Sequence, residues 1–241
     1  AFIGCTGLTK VVIPDSVTSI GYFAFQGCYA LKDVTIPRNV KEIGPHAFSS
    51  CISLTSVTIL ASIKYINIYV FDGCRALKEI TIPSSVIRLC RGAFSDCGSL
   101  TSVTFLGSII KSIGPDAFSD CKSLTSVTTM GNVKSIGSCA FSYCESLTSV
   151  EFGRIEQIDY LAFVCCAALK SINIPSSVTS IHEEAFRGCN LQYIGVYSGS
   201  QSFNQDVIES IMRTSTEAIA FTPECIDRLS IGLWDRLIEF G

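Results

Sequence analysis

The sequence predicts an α/β solenoid of nine coils, each of about 23 residues, with a C-terminal cap. Three observations predict it. The string Ala-Phe-x-x-Cys recurs at a near-constant step along most of the chain, which is the signature of stacked repeats. Each recurrence is followed by β-branched residues two apart, the periodicity of a short strand. About eight inward positions per unit are too few to close a core within one unit, so neighbouring units must stack to bury them.

The elements follow in order within each unit. The repeat phenylalanines are Phe2, Phe25, Phe48, Phe71, Phe94, Phe118, Phe141, Phe163 and Phe186, at steps of 23, 23, 23, 23, 24, 23, 22 and 23 residues. Cysteine stands three residues after each, from Cys5 and Cys28 to Cys166 and Cys189, and Val70 alone replaces the preceding alanine. This segment is expected to make one helical or 3₁₀ turn. A leucine comes next (Leu8, Leu31, Leu54 and onward, with Leu191 one place early), then an alternating pair such as Val34/Ile36 or Ile80/Ile82. That pair predicts a strand, often ended by proline (Pro14, Pro37, Pro83, Pro175) because proline has no N–H to donate. A second extended stretch carries Val and Ile three apart, as in Val17/Ile20 and Val40/Ile43, and glycine commonly closes it. With strands ~4.8 Å apart, nine coils would span on the order of 40 Å.

The full unit, Ala24-Phe25-x-x-Cys28-x-x-Leu31-x-x-Val34-x-Ile36-Pro37-x-x-Val40-x-x-Ile43-Gly44, resembles the BspA-like leucine-rich repeat. The resemblance covers residues 1 to about 196, and it implies a right-handed superhelix with a parallel sheet on its concave side. Residues 1–196 are therefore assigned to the solenoid and 197–241 to a C-terminal capping segment, since a terminal coil must hide its apolar end. Within the cap, 204–213 reads as a helix. Ala218 to Pro223 resembles the strand and proline with which such arrays close, and a short helix near Glu224–Leu229 is expected after it. Because the chain starts inside a repeat, it reads as part of a longer protein.

Composition excludes several functions. The 241 residues carry a net charge of −3 with only 16% charged residues, against roughly 25% in ordinary soluble domains. A pI of about 5.4 argues against nucleic-acid partners, which attract basic domains of pI above about 9. No apolar run reaches the roughly 18 residues a membrane span needs, so no membrane insertion is expected.

Thirteen cysteines invite a disulfide or zinc reading. Nine are repeat positions, where cysteine serves as a small buried hydrophobe. Cys90, Cys139, Cys165 and Cys225 share no register, and Cys165 and Cys166 should point to opposite sides. No C-x-x-C occurs and the only histidines are His46 and His182, so no metal or other cofactor is expected. His182-Glu183-Glu184 fails as a metalloprotease motif, because the second histidine would fall at Phe186. No catalytic residue is assigned.

Binding is the better expectation. Residues alternating with the buried strand positions form one continuous face. One row is Lys10, Asp33, Ser56, Glu79, Ser102, Ser126, Ser149, Ser171 and Tyr193; the next is Val12, Thr35, Thr58, Thr81, Thr104, Thr128, Glu151, Asn173 and Gly195. Sixteen residues make the candidate partner-binding face: Lys10, Asp33, Thr35, Ser56, Thr58, Glu79, Thr81, Ser102, Thr104, Ser126, Thr128, Ser149, Glu151, Ser171, Asn173 and Tyr193. A hydroxyl-rich platform without aromatic anchors suits weak contacts made strong by repetition. The resemblance implies a non-catalytic, adhesive recognition domain of a cell-surface or secreted bacterial protein. Its partner would be a protein or glycan on a host or neighbouring cell. A passive spacer in a larger surface protein and a thiol-dependent enzyme are the competing readings.

Overall fold

The structure is a computed structural model that describes residues 2–107, 109–196 and 220–221. They form a parallel-sheet β-solenoid. Two columns of strands run along it. The wide column holds β2 (Asp33–Ile36), β4 (Ser56–Ile59), β6 (Glu79–Ile82), β8 (Ser102–Phe105), β10 (Ser126–Met130), β12 (Ser149–Phe152), β14 (Ser171–Ile174) and β16 (Tyr193–Val196). The narrow column holds the two-residue strands β1 (Ser19–Ile20), β3 (Glu42–Ile43), β5 (Tyr65–Ile66), β7 (Arg88–Leu89), β9 (Ser112–Ile113), β11 (Ser135–Ile136), β13 (Gln157–Ile158) and β15 (Ser180–Ile181). The Ala-Phe-x-x-Cys segments stack as a third wall.

Two expectations need correction. The α/β class does not hold: no helix is present among the described residues. The reason lies in the turn wall. The residues two before and two after most repeat phenylalanines have positive φ, as at Phe23 and Gly27, His46 and Ser50, or Asp116 and Asp120. A left-handed residue on each side leaves no room for consecutive right-handed helical residues. What remains is a single turn, closed by bonds such as Cys28 N–H to the Phe25 carbonyl at 3.2 Å.

The count of nine coils is also too high; the solenoid has about seven turns. Only the units from Phe25 to Phe163 contribute a turn, a wide strand and a narrow strand. In the first unit, Val11 and Ile13 form no strand. They have a neighbouring coil on one side only and stay half-buried.

Backbone bonding in the turn wall alternates residue by residue. Ala24, Gln26 and Cys28 donate their N–H groups within their own turn, whereas Phe23, Phe25 and Gly27 donate to the carbonyls of Pro45, Ala47 and Ser49 in the next coil. The same forward step recurs from Phe48 N–H to Val70 and from Phe163 N–H to Ala185. Every inter-coil bond of this set runs toward the C-terminus.

The core is a shared column. Neighbouring repeat phenylalanines lie 5.1–5.6 Å apart, within 11° of parallel, which is offset stacking at favourable range. Phe94 is fully buried, while Phe2, stacked on one side only, is 47% exposed. The repeat cysteines from Cys28 to Cys189 do more than fill space. Each thiol donates to the carbonyl of the repeat phenylalanine one coil back, at 3.0–3.3 Å. All twelve described cysteines are free thiols. At the C-terminal side, β17 (Ala220–Phe221) pairs in parallel with β16. The helices expected near 204–213 and Glu224–Leu229 lie outside the described residues, as do Cys225 and most of the segment assigned to the cap.

Candidate partner-binding face

Alternation along the wide strands sets which side chains reach solvent. In β2, β6, β8 and β14 the first and third residues are exposed while the second and fourth are buried, as strand geometry requires. Parallel pairing then aligns like positions across coils: Asp33 with Ser56, Thr35 with Thr58, Glu79 with Ser102, Thr81 with Thr104. Ser126 lies between Ser102 and Ser149, and Ser171 and Asn173 sit opposite Tyr193 and Gly195.

Of the sixteen candidate residues, Asp33, Thr35, Ser56, Thr58, Glu79, Thr81, Ser102, Thr104, Ser149, Glu151, Ser171 and Asn173 are exposed on these strands, and Ser126 is half-exposed. Thr128 and Tyr193 occupy the matching positions on β10 and β16. Lys10 is exposed but lies outside any strand.

The strand ladder comes in three blocks: β2–β4, then β6–β8–β10–β12, then β14–β16–β17. Within the second block the register shifts so that Met130 pairs with Phe152. The cause is readable in the sequence, because the step from Phe141 to Phe163 is the 22-residue one. One residue missing after β12 moves Phe152 up by a place.

A third hydroxyl row, not singled out in the sequence, borders the face. Thr55, Thr101, Thr125 and Thr148 stand just before their strands, and each Oγ1 donates to a carbonyl one coil back, at 2.9–3.2 Å. Their protons are committed, so toward solvent these oxygens can only accept. The hydroxyls of Ser56, Thr58, Ser102 and Thr104 make no side-chain hydrogen bond among the described residues, and remain able to donate as well as accept. Between Thr101 and Ser149 the three rows carry no charge on the described side chains.

Apolar groups were also missed. Leu60 and Leu106, the residues directly after β4 and β8, are 45% and 64% exposed, and Ile109 is exposed nearby. Their signal was the column that holds proline in other units, as at Pro37 and Pro83.

Two of the off-register cysteines are poor nucleophiles. Burial pushes the Cys90 thiol up, and burial followed by the charge of Asp116 does the same at Cys139, opposite to what a nucleophilic thiolate requires. His46 is stacked between Phe23 and Tyr69, at 5.0 Å from each. His182 Nδ1 accepts from the Glu184 N–H at 3.2 Å, while the Cys189 thiol of the same unit donates to the Phe163 carbonyl.

A family model described as the BspA type leucine rich repeat region matches the chain in six copies, over residues 1–111 and 91–212. No curated protein matches. Among solved structures, a leucine-rich repeat protein from Bacteroides ovatus is 25% identical, over 92% of this chain and 79% of that one, with a TM-score of 0.46. The leucine-rich repeat protein of T. pallidum is 23% identical over 85% and 79%, at 0.48. A leucine rich cell surface protein from Faecalibacterium prausnitzii is 24% identical over 93% and 80%, at 0.38. Superpositions this loose carry no argument about the present chain, and the repeat match stands alone.

Proposed function

The chain belongs to the BspA-type leucine-rich repeat family, and from that premise we propose that it is a non-catalytic recognition domain of a cell-surface or secreted protein. It adheres to a protein on a host or neighbouring cell through the Ser/Thr-rich face of its wide strands, the side that a leucine-rich repeat would make concave. The supporting observation is the register: exposed Ser56/Thr58 align with Asp33/Thr35 on one parallel ladder block and Ser102/Thr104 with Glu79/Thr81 on the next, beside the exposed Leu60 and Leu106. The side chains of Leu60 and Leu106 offer the apolar contact that a protein partner needs to exclude water. The hydroxyl rows add many weak polar contacts that gain strength when the domain is displayed in multiple copies.

The test is a multivalent display of the folded chain against arrays of matrix proteins and glycans. Specific capture of a protein, weakened at least about tenfold by Thr104→Arg or Leu106→Asp, supports the reading. Silence at high valency favours a passive spacer, and capture of uncharged glycans alone removes the protein partner.

A further inference from the structure

The narrow strands carry a feature that the hydroxyl face does not use. Lys41, Lys64, Lys111 and Lys134 each stand directly before a narrow strand, and Arg88 opens β7. All five are exposed. They supply one cation per coil over five consecutive coils, the four lysines at one position and Arg88 one place further on, in the row of Tyr65, where Ile87 takes the lysine position, in a protein whose net charge is −3. Backbone bonds hold the column in step: Ile87 N–H donates to the Lys64 carbonyl, Lys111 N–H to Ile87, and Lys134 N–H to Lys111. At ~4.8 Å per coil the column runs about 19 Å.

Carboxylates sit only at its ends. Glu42 follows Lys41, and Glu156 pairs with Lys134 at 2.8 Å. Lys41, Lys64, Arg88 and Lys111 enter no ion pair among the described residues. Elsewhere Arg75 pairs with Asp96 and Lys122 with Glu145, while Lys32 and Lys78, which enter no ion pair among the described residues, stand two coils apart and not in consecutive coils. A row of like charges at this spacing repels itself, and a bound polyanion would relieve that cost.

We propose that this column is a docking strip for a linear acidic polysaccharide. A column one cation wide matches a single extended chain, whereas a membrane surface would need a broad basic patch. Four of the five cations are lysines, point charges on flexible stems that lack the guanidinium fork suited to bidentate phosphate recognition. Tyr65, 48% exposed, follows Lys64 and pairs in register with Arg88. Its ring sets an amphipathic surface beside the charges, on which a sugar ring can lie.

The experiment measures binding of the folded 241-residue chain to size-defined heparin fragments, with dextran as the neutral control, over a salt series. The strip predicts binding to heparin only, weakening steeply with salt as counterions are exchanged. Changing Lys41, Lys64, Arg88 and Lys111 to Gln should weaken binding at least about tenfold and flatten the salt slope by roughly three. Lys32, Arg75, Lys78 and Lys122, changed to Gln together, remove the same charge from other walls and should leave it unaltered. Tyr65→Ala alone should weaken it several-fold. Should the quadruple strip variant fail to fold, the Lys64→Gln/Lys111→Gln pair gives the same comparison. The proposal is overturned if heparin does not bind at low salt, or if the two charge-matched sets lose equal affinity. Binding to single-stranded DNA, or to vesicles of equimolar phosphatidylcholine and phosphatidylserine, as tight as to heparin at matched salt also overturns it.

Discussion

Raising the pH above 9 should unfold the array through its cysteine column. Burial pushes the thiols of Cys51, Cys74, Cys97, Cys121 and Cys144 above their ordinary value of 9.0, Cys51 to about 12. Cys166 is raised by the neighbouring Cys189 thiol and by burial. The unfolded chain releases these protons near pH 9, whereas the folded chain keeps them. Stability is therefore fully present below 9 and falls as pH rises toward the folded values, because the unfolded state binds fewer protons there. Each thiol costs about 1.4 kcal/mol per pH unit in that window. At pH 10 the six together withdraw about 8 kcal/mol, comparable to the whole stability of an ordinary domain. Urea unfolding followed by far-ultraviolet circular dichroism, in reductant at pH 7, 8, 9 and 10, reads this directly. The midpoint should hold between 7 and 8 and drop steeply by 10. The double variant Cys74→Ala/Cys121→Ala starts less stable but should lose roughly 3 kcal/mol less over the same range. A flat profile from pH 8 to 10, or an unchanged slope in the double variant, would refute the burial argument.

Two further outcomes follow from packing. Phe94→Ala removes a fully buried ring stacked between Phe71 and Phe118 and should cost about 3–5 kcal/mol. Phe2→Ala, on a ring stacked against Phe25 and 47% exposed, and Thr104→Ala on the exposed face should each cost under about 1 kcal/mol in the same urea titration, and a near-neutral Phe94→Ala would mean that the inward and outward faces are exchanged. Gly137→Ala would bring its Cβ to 2.7 Å from the Pro115 nitrogen and 2.9 Å from the Gly114 carbonyl carbon. Backbone must move, so the melting temperature should fall by several degrees, whereas Gly98→Ala, with nothing within 4 Å, should leave it in place.

Most of the solenoid was legible because its inward positions are chemically uniform. The Val34/Ile36 alternation marked the wide strands, and Val40/Ile43 marked the extended stretch that became the narrow ones. The exposed rows followed from the same alternation, which cannot tell whether a partner binds there. The turn wall was harder to read. Left-handed φ before the repeat phenylalanine falls on Phe23, His46 and Tyr69 as readily as on Gly92, and after it glycine marks only four units, at Gly4, Gly27, Gly73 and Gly188, so the pattern was partial and a helical turn was the natural expectation. The cysteine column read as apolar filler because a thiol is nearly as apolar as alanine. Its second role, donating to the phenylalanine carbonyl one coil back, depends on three-dimensional stacking. The lysine column escaped notice because its members stand 23 or more residues apart and come together only when the coils stack.

The one-way bonding of the turn wall bears on how such a protein changes length. Each coil hands forward the same set of N–H groups that its predecessor offered to it, from Phe25 to Ala47 and from Phe48 to Val70. Duplicating or deleting a whole unit thus leaves no orphaned donor inside the stack, whereas an out-of-phase splice would strand several at once. Gene-level gain and loss of entire units is the neutral route, and the reach of the molecule can be retuned without redesigning any joint.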